Sequence, residues 1–129
     1  MHALWLHGLW EALQCRLFYD MSGGSFARAF FMIGATGADV VLTLILVALA
    51  RRLARGHFIR VLLLLAVGGA ITAILIEILA LALGWWRYSP LMPSLQFSGQ
   101  SIGLLPLVQM ALLPSLAFLL ARSFSSKSI

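Results

Sequence analysis

Three of the four acidic residues of this chain lie inside long apolar segments. They are Glu11, Asp39 and Glu77. A charged side chain at the centre of a bilayer costs about 2.5–3.5 kcal/mol on insertion scales. No lysine or arginine lies in the middle of these segments to offset that cost. The carboxyl groups must therefore be protonated, hydrogen-bonded to neutral groups, hydrated or bound to a cation.

Each acid shares a predicted helix face with polar or small residues. Side chains three or four positions apart lie on the same side of a helix. The predicted stripes are His7, Glu11 and Gln14; Thr36, Asp39 and Thr43; Gly69, Ala73 and Glu77; and, on a fourth helix, Gln109 one turn after Pro106. Small residues before Glu77 would let another helix approach closely. Turning the four stripes inward gives a polar interior and an apolar lipid surface.

The stripes predict a polar cavity in the midplane and outer half of the bundle. Trp86, Tyr88 and Met92 belong to the loop above it and are expected to form its lid. The candidate ligand-binding residues are Glu11, Gln14, Tyr19, Asp39, Glu77, Trp86, Tyr88, Met92 and Gln109. No catalytic role or cofactor is assigned to them. No metal site is predicted either, because His7 is most simply interfacial and His2 and His57 lie toward the opposite face.

Composition places these residues in a membrane protein. Of the 129 residues, 62% are hydrophobic and 10% charged, against roughly 45–50% and about 25% in soluble domains. A span needs about 20 mostly apolar residues. We expect an all-α polytopic membrane protein, a single domain over 1–129 that forms a bundle of about four transmembrane helices. The predicted helices are 3–19, 28–50, 58–83 and 102–121, with an outer loop at 84–101 that contains two prolines.

The first predicted helix has two interpretations. It can lie in the interface as an amphipathic helix, or it can be a short span whose Arg16 reaches the headgroups. Basic residues favour cytoplasmic loops. One side receives Arg51, Arg52, Arg55, Arg60, Arg122 and Lys127, and the other receives Arg16, Arg28 and Arg87. With four spans, both termini are therefore predicted to be cytoplasmic, in a bacterial inner membrane.

The net charge of +5 does not indicate nucleic-acid binding, because the arginines separate apolar segments and form no basic surface interleaved with aromatic residues. The expected partners are the lipid bilayer, a larger membrane-protein complex, or a lipid, quinone or pigment-like ligand. Cys15 is the single cysteine, so an intrachain disulfide is impossible.

The chain resembles a family of small, functionally uncharacterised bacterial membrane proteins over most of its length. The matching residues are Trp10-Glu11 with Gln14 and Tyr19, Thr36 to Val40, Glu77, Trp86, Tyr88, Met92-Pro93, and Gly103-Leu104 with Pro106 and Gln109. Cys15-Arg16 stands where the family has Leu-Pro, and Ile33-Gly34 where it has His-Cys. The resemblance implies four helices and a shared polar site, without a known activity.

Three functions are compatible with these residues. The first is an accessory subunit or a binder of a lipid-like ligand. The second is an intramembrane enzyme that acts on a lipid or isoprenoid by carboxylate acid/base chemistry. A proton or cation pathway is the third, but the polar residues stop at Thr43 and the apolar run Leu44 to Val47 follows.

Overall fold

The computed structural model describes residues 1–20, 24–97 and 99–126. Its elements in chain order are α1 (His2–Phe18), α2 (Ser25–Ala54), α3 (Phe58–Leu83), β1 (Ser94–Phe97), β2 (Gln100–Gly103) and α4 (Leu104–Ser126). Lys127, which contributed to the predicted charge asymmetry, lies outside the described residues.

Helices α2, α3 and α4 are each long and apolar enough to cross a membrane, with 30, 26 and 23 residues. The fold is therefore all-helical apart from one short hairpin, with three candidate spans. Helix α1 has 17 residues, somewhat fewer than the roughly 20 that a span needs. It packs against α2 and α4. Most large apolar side chains of the four helices point outward and are exposed, as a lipid-facing surface requires.

The predicted bounds of two helices need correction. Helix α2 extends beyond 28–50 in both directions and ends where Arg55 takes a left-handed conformation. Helix α4 begins at Leu104 instead of residue 102, because Gln100–Gly103 form a β-strand. This strand reads Gln-Ser-Ile-Gly and has only one large apolar residue, Ile102, so it carries no alternating pattern from which to predict it.

The connection between α3 and α4 is tied to the end of α1. Strands β1 and β2 pair antiparallel, with Ser94 opposite Gly103. Upstream of the hairpin, the backbone N–H of Asp20 donates to the carbonyl of Arg87, and that of Ser89 donates to the carbonyl of Phe18, both at 2.9 Å. These bonds fix the connection, residues 84–103, over one end of the bundle, here called the loop end.

The opposite end contains the α2–α3 turn and the last turn of α4, and we call it the arginine end. Its core is an apolar cluster of buried residues: Ala50, Ala54, Val61 and Leu65. The buried residues of α2 are Thr43, Ala50 and Ala54, all in its second half. From Ser25 to Leu42 the helix has no fully buried side chain, so its first half packs loosely against the bundle at the loop end.

Helices α3 and α4 touch through backbone atoms at Gly69. A Cβ atom there would collide with the carbonyl of Met110. Glycine is therefore required by the close approach of the two helices, as at small-residue interfaces between membrane helices.

Replacing Gly69 by alanine should destabilise the protein by about 1–3 kcal/mol, because the backbones of α3 and α4 must separate. The measurement is the free energy of unfolding in mixed micelles, followed by circular dichroism. Gly34→Ala is the matched control, since a Cβ at that position meets nothing within 4 Å. Equal stability of the two variants would contradict the close contact.

Candidate functional site

The side-chain amide of Gln109 lies at the centre of a buried polar cluster. Its Nε2 donates to Asp39 Oδ2 at 2.6 Å and to Glu11 Oε1 at 2.9 Å, and lies 3.2 Å from His7 Nδ1. Three helices thus meet at one nitrogen atom: α1, α2 and α4. Because both carboxyl groups bond to the same nitrogen, Glu11 and Asp39 lie side by side.

The orientation of this amide is set by a second one. Gln14 Nε2 donates to Gln109 Oε1 at 3.3 Å, and Trp10 Nε1 donates to Gln14 Oε1 at 2.6 Å. With its oxygen already engaged as an acceptor, Gln109 must point its NH₂ group toward the carboxyl pair. The hydrogen bonds from Trp10 to Gln14 and from Gln14 to Gln109 thus fix Gln109 as a donor to both acids.

Acceptors outnumber donors around the Glu11–Asp39 pair. An amide NH₂ carries two hydrogens, yet three acceptors lie within hydrogen-bonding distance of Gln109 Nε2. The Cys15 thiol, 3.0 Å from Glu11 Oε2, is a further donor, and the two carboxyl groups also hydrogen-bond to each other. The nearest titratable nitrogen, His7 Nδ1, is 3.7 Å from Asp39 Oδ2. No described oxygen of the pair is buried without a partner, so the capacity to accept from a further donor lies at the partly exposed Asp39.

Glu77 has the opposite environment. Its carboxyl group accepts from Tyr88 Oη, from Trp86 Nε1 at 3.3 Å and from Tyr19 Oη at 3.4 Å. Burial raises the pKa of the Tyr88 hydroxyl above its usual range, so this phenol stays protonated and can donate. The Tyr88 Oη atom also accepts from the backbone N–H of Gly103 at 2.9 Å. Glu77 thus joins α3 to the loop.

Both carboxyl groups of the pair and Glu77 line one cavity of about 110 Å³. Its wall consists of Glu11, Gln14, Tyr19, Phe31, Ala35, Ala38, Asp39, Leu42, Ala73, Ile76, Glu77, Trp86, Pro106, Gln109 and Met110. Asp39 is the more accessible member of the pair. Its side chain is 19% exposed, whereas Glu11 as a whole residue is 4% exposed. On one wall, Trp86 packs edge-to-face on Tyr19 and Phe31.

Seven of the nine predicted site residues line this cavity, and two do not. Tyr88 lies behind Glu77 and holds it by a hydrogen bond. Met92 is buried against Cys15 and Tyr19. Only Trp86 of the three predicted lid residues therefore faces the cavity, because the loop folds down onto the end of α1.

The interfacial interpretation of His7 is wrong. This side chain is fully buried, and its Nε2 shares a 2.8 Å hydrogen bond with Thr43 Oγ1. The polar stripe of α1 faces the interior of the bundle, toward Thr43 of α2 at His7 and toward Gln109 of α4 at Gln14, so the residue one turn before Glu11 is also enclosed. In the part of the chain that the structure describes, no group of three or more His, Cys, Asp or Glu side chains could hold a metal ion.

The role of Cys15 was missed by sequence reasoning, and so was that of Trp10 as a hydrogen-bond donor. Both carry a usable signal, since Cys15 follows Glu11 by four residues and Trp10 precedes Gln14 by four. Pairs with this spacing face each other on a helix.

Comparison with family models, with curated proteins and with solved structures finds no match. The resemblance drawn from the motifs therefore stays a prediction, and the function has to be argued from the site itself.

Removing the Tyr88 hydroxyl should destabilise the protein by about 1–3 kcal/mol, since Tyr88→Phe removes one of the three donors to Glu77 and leaves the Gly103 N–H without its partner. Thermal unfolding in detergent measures the effect. Tyr19→Phe is the matched control and should cost less, because its 3.4 Å bond to Glu77 is long. A larger loss for Tyr19→Phe would contradict the assigned roles.

Proposed function

We propose that this protein is a four-span protein of the bacterial inner membrane that binds the polar end of a lipid-like molecule. The observation that carries the proposal is the Glu11–Asp39 pair, which can accept from a further donor at Asp39 on a cavity inside the bundle. Helix α1 is the fourth span, and its Arg16 extends to the headgroups. The arginine end is cytoplasmic by the preference of basic residues for that side.

The chemistry of the pair selects the ligand. Carboxyl oxygens accept hydrogen bonds, and each has two lone pairs. Among the described residues, no lysine or arginine lines the cavity. A ligand that brings hydroxyl, amine or N–H groups can donate to the remaining lone pairs of Asp39, whereas a phosphate or carboxylate brings mainly further acceptors. The ligand is therefore a neutral or cationic hydrogen-bond donor at its polar end.

The cavity volume limits how much of the ligand enters. About 110 Å³ is the space of roughly three to four water molecules at liquid density. Sites that enclose a drug-sized ligand have about 300–1,000 Å³. Only a small polar end fits here, and the remaining apolar part has to stay in the bilayer.

A lateral entrance beside α2 is consistent with this arrangement. Ala35 and Ala38 line the cavity, and Ala38 is itself exposed. The first half of α2 has no fully buried residue. Small side chains and loose packing leave a gap through which a molecule can project from the lipid toward Asp39, while its chain lies against the apolar surface of α2.

An intramembrane enzyme is the second candidate, and the adjacent carboxyl groups favour it specifically. Two carboxyl groups that share one environment can divide the roles of acid and base. The aromatic wall formed by Tyr19, Phe31 and Trp86 could stabilise a positive charge on an isoprenoid. A proton or cation pathway has less support, because the apolar cluster around Leu65 fills the core of the arginine end.

Variants of the pair should lose the bound molecule. Glu11→Gln and Asp39→Asn each replace an accepting carboxyl oxygen by an amide NH₂ that cannot accept, a change worth about 1–3 kcal/mol, so the amount that co-purifies should fall about tenfold. The measurement is mass spectrometry of molecules extracted from protein purified in mild detergent. Asp20→Asn is the matched control, because Asp20 is the one acid that does not line the cavity.

Retention of the same molecule by Glu11→Gln and Asp39→Asn at wild-type amounts would refute the proposal. Accumulation of one molecule in these variants and of a chemically altered form in the wild type would favour the enzyme. Purification of the wild type only within a larger assembly would make it an accessory subunit.

A further inference from the structure

We propose that a second site, at the arginine end, binds the phosphate of an anionic lipid headgroup. A cavity of about 560 Å³ opens there between the end of α2, the start of α3 and the last turns of α4. Arg51 and Arg122 contribute its charged wall, and Phe58, Val61 and Phe118 contribute its apolar wall. This site shares no residue with the carboxylate cavity.

The guanidinium of Arg122 is held in place by an aromatic ring. Its Cζ lies 4.6 Å from the centroid of the Phe58 ring, and Phe58 is also 6.3 Å from the ring of Phe118. Stacking on a ring leaves the N–H edge of a guanidinium free to form hydrogen bonds. An arginine arranged in this way can bind a phosphate in bidentate fashion.

The charge at this end is unbalanced. Among residues 1–20, 24–97 and 99–126, His7 and Asp39 are the only side chains close enough to form an ion pair. Three of the four acids line the carboxylate cavity, and the fourth, Asp20, lies at the loop end, where its backbone N–H bonds to Arg87. The basic residues of the arginine end are Arg51, Arg52, Arg55, Arg60 and Arg122. The arginine end therefore carries a net positive charge that favours a negative ligand.

The first turn of α3 adds to the positive potential. It starts at Phe58 in the wall of the cavity, has no side-chain cap and has no acidic residue in its first turn. The N-terminal end of a helix carries a partial positive charge. The N-terminal end of α3 therefore adds to the positive potential of Arg51 and Arg122 and does not form the binding site by itself.

The apolar wall distinguishes a lipid from a free anion. Val61 belongs to the buried apolar cluster, and Phe118 packs against that cluster, so the cavity continues inward along hydrophobic side chains. A headgroup would place its phosphate between Arg51 and Arg122 and its glycerol and first methylenes against this wall. Basic pockets between membrane helices bind lipid headgroups in this way.

The test is a titration of the full-length protein in neutral maltoside micelles with phosphatidylglycerol, read by native mass spectrometry. We expect Arg51→Gln/Arg122→Gln to weaken binding on the order of tenfold. The matched control Arg52→Gln/Arg60→Gln removes the same charge at the same end, but neither residue lines the cavity. It should change binding by less than about threefold at physiological ionic strength.

A second variant keeps both arginines. Ala121→Trp fills the cavity from its wall and should abolish the bound lipid without altering charge, even if the double arginine variant fails to fold. Equal loss in the two double variants, or unchanged binding by Ala121→Trp, would overturn the proposal. Displacement of the lipid by equimolar inorganic phosphate would show a site for the free anion instead. Glu11→Gln changes only the carboxylate cavity and should bind phosphatidylglycerol like the wild type. Failure of the proposed ligand site and failure of the lipid site can therefore be recognised separately.

Discussion

The bond network of Gln109 is the constraint on which the rest of the loop end depends. Its Nε2 bonds to an acid on α1 and an acid on α2, while its Oε1 accepts from Gln14. In a low-dielectric interior, buried carboxyl groups without partners are costly. The helices must therefore stay in the register that brings the amide to the acids. Gly69 permits that register, because α4 can approach α3 only where no Cβ intervenes.

The two ends of the bundle are stabilised by different interactions. At the arginine end, small and aliphatic side chains fill the interior, and charge is left at the surface. At the loop end, polar side chains occupy the interior, and α2 packs too loosely to close over them. Glu77 is saturated with donors and acts as an anchor for Trp86 and Tyr88. Asp39 in the Glu11–Asp39 pair is partly exposed, whereas Glu77 is buried under its three donors, and this difference separates a carboxyl group that can meet a ligand from a structural one.

Helical periodicity was sufficient to predict the helices and most of the site. The i, i+4, i+7 spacing of His7, Glu11 and Gln14 identifies the inner face of α1. Helical spacing likewise places Asp39, Glu77 and Gln109 on the inner faces of their helices. It could not predict which partner each acid receives, because pairing depends on helix rotation and height. Nor could it predict that Met92 turns toward Cys15, since loop residues carry no periodic signal. The hairpin before α4 was hidden for the same reason.

The central claim is that Glu11 and Asp39 share the Gln109 amide and accept hydrogen bonds from a ligand. Solid-state NMR tests it directly, because the chain has only two Glu and two Asp residues and each side-chain carboxyl carbon can be resolved. With Gln109 labelled at its side-chain nitrogen, we expect dipolar coupling to the carboxyl carbons of both Glu11 and Asp39. Adding the co-purified molecule to delipidated protein should shift these two signals and leave Asp20 unchanged. Absence of coupling to either acid, or a ligand-induced shift confined to Asp20 or Glu77, would contradict the account.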